Sequence, residues 1–206
     1  MLSLFSGADG GAKQVRNFNA VMVEHCAYAK ASIGRQGSQR YIPSPSLAPF
    51  FYTVQLDESP PSVNDCSLLI PLEICTKDLG RAEVSVIQLK IEMATLALRN
   101  SHMTSSAVSA FRATLEHMRN QAKHDCESYL EQLYHMADKL GSSHCELQGN
   151  IFGFMQRISQ FFVDLYNQIG DFIARIAKGA AAWIATAEYT TQRNLNEIRT
   201  WISGSL

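Results

Sequence analysis

From Ile151 to Lys178 the apolar residues Ile151, Met155, Ile158, Phe162, Leu165, Ile169, Phe172 and Ile176 recur at alternating steps of four and three. This unbroken a/d heptad constrains the chain more than any other feature. Only a helix gathers such residues into one seam, and the seam must then be covered by other helices. Arg157, Asp164, Asp171 and Lys178 fall seven apart on the opposite side, so the same helix stacks them into one solvated stripe. Those charges also deny the segment the run of about 18 apolar residues that a membrane span requires.

A matching heptad lies just upstream. Val108, Phe111, Leu115, Met118, Ala122, Cys126, Tyr129, Leu133, Met136 and Leu140 keep the spacing with one extra step of four at Cys126, a stutter that locally unwinds a supercoil without ending the helix. Thr104 or Ser105 can cap its start through a hydroxyl. The turn-rich GSSHCELQGN separates the two seams. Helices over 104–140 and 147–178 would each be roughly 50 Å long. Seams of matched length joined by a short turn predict an antiparallel helical hairpin.

All six prolines fall between Arg40 and Leu72. Proline removes an amide donor and clashes with the preceding turn, so 35–77 reads as a non-helical insertion and the rest is free to be helical. Inside it, Phe50 to Leu56 carries strand-forming residues. Cys66 to Cys75 is a second apolar run that Pro71 demotes to an edge strand, so a two-stranded hairpin packed on the helices is expected. Upstream, 1–12 is aperiodic and reads as a frayed terminus, and 13–34 as a helix stopped by Gly34 and Gly37. Downstream of the insertion, 78–100 is apolar on two sides. Leu79, Val86, Leu89, Met93 and Leu96 mark one face and Val84, Ile87, Ile91 and Leu98 another, which predicts a central helix buried on both. After Lys178 the heptad loses phase. The chain either bends near Gly179 or turns its last helix, 182–203, toward a different neighbour. The expected fold is a single mainly α bundle built on the long hairpin, over residues 13–206.

Net charge is −1, and basic residues are not gathered anywhere, which argues against nucleic acid as a partner. The start, MLSLFSGADGG, lacks the basic region of a secretory signal. Five cysteines without a CxxC suggest reduced thiols, and a cytoplasmic location is the expectation.

Two clusters invite chemistry. His117, His124, Glu131 and His135 share one helical face, but residues seven apart lie about 10.5 Å from each other and cannot share an ion. The sequence lacks HExxH, and a solvated polar face is the stronger reading. Ser142, Ser143, His144, Cys145 and Glu146 place a nucleophile, base and acid side by side, where they seldom meet in catalytic geometry, so a turn is expected. No catalytic residue, cofactor site or metal site is assigned. Aromatics instead suggest contact surfaces: Phe50, Phe51 and Tyr52, with Tyr41, in the proline segment, Phe154, Phe161, Tyr166 and Ile173 beside the 151–178 seam, and Trp183 and Trp201 beyond it.

The leading functional expectation is therefore a non-enzymatic protein–protein interaction module: an adaptor, a chaperone or a subunit of a larger assembly. Its partners are other proteins, with further copies of the chain among them. The alternative is a membrane-active or secreted effector that inserts the amphipathic 151–187 region. The third reading is a metal-dependent enzyme using the histidine face.

Overall fold

The computed structural model describes residues 10–35, 41 and 67–206. Among them run five helices: α1 (Gly10–Ser32), α2 (Ile70–Asn100), α3 (Ser105–Ser143), α4 (Gln148–Lys178) and α5 (Ala180–Gly204), with a short 3-10 turn at Cys145–Leu147 between α3 and α4. The molecule is the mainly α bundle that the heptads require.

The hairpin of α3 and α4 is its frame. Thr104 caps α3 by accepting a hydrogen bond from the Ala107 amide at 3.3 Å. Near the turn the Gln148 side chain donates to the Gly141 carbonyl at 3.1 Å. Midway, the Tyr134 hydroxyl lies 2.8 Å from Ser159 Oγ, and at the far end Arg112 Nε donates to the Ala177 carbonyl at 3.2 Å. These pairs hold the helices antiparallel along their length. The seam of α3 shifts past Cys126, where Leu130, Leu133, Tyr134, Ala137 and Gly141 are buried. The expected Tyr129 and Leu140 are only half-buried there, and Met136 is exposed. The buried steps lengthen past the stutter because the helix stays closer to its natural 3.6-residue period than to 3.5.

All eight seam residues of α4 are buried, as are Phe152, Phe154, Phe161, Val163, Tyr166 and Ile173 beside them. The charged stripe faces out, with Arg157, Asp171 and Lys178 exposed and Asp164 half-buried. Burial holds the Asp164 carboxyl above its usual range, against the hydrogen bond it accepts from Gln160 at 2.8 Å.

Gly179 alone separates α4 from α5. The chain reverses there: Phe172 meets Trp183 edge-on at 5.8 Å, Arg175 reaches Asn194 at 3.1 Å, and Phe161 stacks on Trp201 at 5.1 Å. The loss of phase after Lys178 is thus a fold-back. Helix α1 lies antiparallel to α3, tied by Lys30–Glu131 (3.2 Å) and Asn19–Asp138 (2.8 Å). Its Phe18 ring occupies the space a Cβ on Gly141 would need. Gly34, at φ 73°, ends α1 in the left-handed region that glycine enters without strain.

Two expectations are corrected. Residues 70–75 are the start of α2 and not an edge strand; Pro71 sits in the first turn, where its missing N–H leaves no bond unmade. Helix α1 starts at Gly10, inside the expected frayed terminus. The first expected strand, Phe50 to Leu56, lies outside the described residues.

Candidate functional site

Among the described residues, helix α2 differs from the other helices in having a second apolar face that none of them covers. Its inner face packs between α3 and α5: Leu72, Val84, Ile87, Ile91 and Leu98 are buried, and Gly80 lets α2 approach the Phe161 ring, which a Cβ there would meet at 2.9 Å. Diametrically opposite, Val86 is 40% exposed, Leu89 59%, Met93 64% and Leu96 58%. Ala82 is exposed and Leu79 half-buried on the same line. The six residues Leu79, Ala82, Val86, Leu89, Met93 and Leu96 form a strict heptad of their own, about 26 Å long. Pro71, Ile74 and Cys75 prolong it at the N-terminal end into an open apolar groove that also takes in Asp78, Leu79 and Ala82. A scattered exposed leucine needs no explanation, but a continuous apolar seam marks an interaction site.

The expectation that α2 is buried on both sides is therefore wrong. Its pattern records two apolar faces, of which the described residues fill one.

The aromatic contact candidates from the sequence fall elsewhere. Phe154, Phe161, Tyr166, Ile173 and Trp183 are buried, and Trp201 is half-buried against Phe161. They form the interior around α4, and the breadth of its apolar face comes from having α1, α2, α3 and α5 around it. In the 151–187 segment that a membrane-inserting reading would use, the apolar seam from Ile151 to Ile176 lies in the same interior. Tyr41 is buried too, stacked on His25 at 5.4 Å, and its amide donates to Gln160 Oε1. Phe50, Phe51 and Tyr52 lie outside the described residues.

The histidine face is solvated. His117, His124, Glu131 and His135 are exposed along α3, Glu131 pairs with Lys30, and His124 lies 3.3 Å from Glu127. No group of three or more metal-ligating side chains converges among the described residues. At the α3–α4 turn, His144 Nδ1 meets Glu146 Oε1 at 3.2 Å beside an exposed Cys145, as a turn and cap.

Two buried titratable groups escaped the sequence reading, because burial is not written in residue type. Glu83, on the inner side of α2, is 1% exposed. Tyr129 donates to its Oε2 at 3.1 Å, while Oε1 has no hydrogen-bond partner among the described residues. Loss of solvation, reinforced by Asp125, pushes its carboxyl up to about 7 against the pull of the Tyr129 bond and Lys90. Burial also holds His25 down to about 3, so it is neutral between the Tyr41 and Tyr134 rings. Cys26 beside it is raised to about 11, again by burial first, and is a poor nucleophile at neutral pH. Glu83 and His25 belong to the packed interior, whereas Cys26 is half-buried at a groove it shares with Tyr134, His135 and Asp138.

No helix among the described residues is long and apolar enough to cross a membrane. No known protein family matches the chain, and neither a curated protein nor a solved structure matches it.

Proposed function

We propose that this chain is a protein–protein interaction module without catalytic chemistry, an adaptor, chaperone or assembly subunit whose working surface is the outward face of α2. One observation carries the reading: a heptad seam, exposed at every residue but the half-buried Leu79, runs along a helix whose opposite face is already packed. Leaving large apolar side chains in water forgoes about 1.5–3 kcal/mol each relative to burial. Four of them in one line is the arrangement that a helix-in-groove or helix-on-helix contact uses. The exposed residues Asp78, Arg81, Ser85, Glu92 and Arg99 run along one flank of the seam and supply a polar rim for such a contact.

The test is affinity capture with the immobilised full chain and its Leu89→Glu variant, both checked for equal helicity by circular dichroism. The wild type should retain a partner that the variant loses. Identical retention by the two proteins removes the reading, and so does retention by neither when the chain also fails to associate with itself.

A further inference from the structure

We propose that a second copy of this chain docks on the outward face of α2, antiparallel, with the two-fold axis level with Ile87 and Gln88. The inference rests on the reading of that face as an interaction surface and names its occupant.

The seam is self-complementary in one register. With Leu79, Val86 and Met93 at a and Ala82, Leu89 and Leu96 at d, an antiparallel pair sets each a residue against a d residue of the other copy. Leu79 then faces Leu96, Val86 faces Leu89, and the smallest residue, Ala82, faces the longest, Met93. Every layer is filled, large against small or medium against medium. By the two-fold symmetry each layer occurs twice.

The polar flank agrees. The four g positions are Asp78, Ser85, Glu92 and Arg99, all exposed. In the same register Asp78 lies beside Arg99 of the second copy, and Ser85 beside Glu92, where its hydroxyl can donate to the carboxylate. A parallel pairing spoils both features. It stacks Ala82 on Ala82, leaving that layer underfilled, and carries Asp78 away from Arg99 of the other copy. The groove at Pro71, Ile74 and Leu79 also finds an occupant, because the antiparallel register brings Leu96 and Met103 of the second copy to that end. Met103 is itself 38% exposed, at the end of the α2–α3 turn.

A seam of this length covers less than the roughly 800 Å² per partner of a standard interface, so the dimer forms reversibly, in the micromolar range or weaker.

Sedimentation equilibrium of the full chain, from low micromolar to hundreds of micromolar, tests this. The wild type should pass from monomer to dimer and go no further, since a two-fold contact closes. Leu89→Glu should stay monomeric throughout with its helicity intact. Asp78→Arg alone, and Arg99→Asp alone, should each weaken association about tenfold, and the double variant should recover wild-type affinity because the pair is restored with its signs exchanged. A wild type that is monomeric throughout, a dimer that survives Leu89→Glu, or a double variant weaker than either single one overturns the proposal. If the wild type is monomeric yet captures a partner that Leu89→Glu loses, self-docking falls and the interaction reading stands. If it dimerises through Leu89 and captures nothing else, the second copy is the partner.

Discussion

Helices α2 and α4 carry the same kind of heptad and the same length, and the fold treats them oppositely. In α4 the seam and its aromatic flanks are all interior, and the only exposed strip is the one its charges occupy. In α2 the apolar residues on one side are interior and those on the other meet water. What separates the two is how many neighbours stand around each helix, four for α4 and mainly α3 and α5 for α2. Apolar periodicity reports that a helix has an apolar face. It does not report whether a partner for that face lies in the same chain.

The sharpest way to break this comparison is one class of substitution on both helices. Phe162→Asp puts an unpaired carboxylate at a fully buried position of α4 and should cost several kcal/mol, enough to unfold a domain whose total stability is about 5–15 kcal/mol. Loss of the circular-dichroism signal and of cooperative urea unfolding checks it.

Next in size is Glu83→Gln. Below about pH 4.5 Glu83 is protonated in both folded and unfolded chains and contributes no pH dependence. As pH rises toward 7 the unfolded chain releases that proton and the folded chain holds it, so stability falls across that window and levels off above it. Glu83→Gln should remove this decline, a gain of up to about 3 kcal/mol at pH 8. His25 has the opposite sign. Its depressed value means that stability is complete above about 6.5 and falls as pH drops toward 3, a limb that Glu83→Gln should leave in place. Urea midpoints between pH 4 and 8 separate the two.

Gly141→Ala should cost about 1–3 kcal/mol from the displaced Phe18 ring, less about 1 kcal/mol of helix propensity regained, and a melting curve reads the net loss. Smallest are Leu89→Glu, measured at a dilution where the chain is monomeric, and Asp164→Ala, each within about 0.5 kcal/mol. If Leu89→Glu melts as early as Phe162→Asp, the outward face of α2 is interior after all and the comparison collapses.

Much of the fold was legible in residue order. The α3–α4 hairpin follows from two heptads and a turn, and Gly34 and Gly179 stop helices where the patterns fail. The misreadings have physical causes. Pro71 forbids helix only in a helix interior, and here it stands in the first turn of α2. Tyr129, Met136 and Leu140 match the heptad as well as Leu130, Tyr134 and Ala137 do, and only the natural drift of a straight helix decides between them. Phe154, Phe161, Tyr166 and Ile173 are interior because a wide apolar face can mean a deep position as readily as an open surface. The α2 seam was visible as Leu79, Val86, Leu89, Met93 and Leu96. What the sequence lacked was any statement of what covers them.

The single residue between α4 and α5 carries a further consequence. One extra residue after Gly179 would rotate α5 by about 100° relative to α4. Trp183 and Trp201 would then leave Phe172 and Phe161 together, and the Arg199–Gln88 hydrogen bond at 2.6 Å, which ties α5 to α2, would go with them. With no slack in that joint, α4 sets the angle at which α5 supports α2. The pitch of the exposed seam is thus geared to a helix it barely touches.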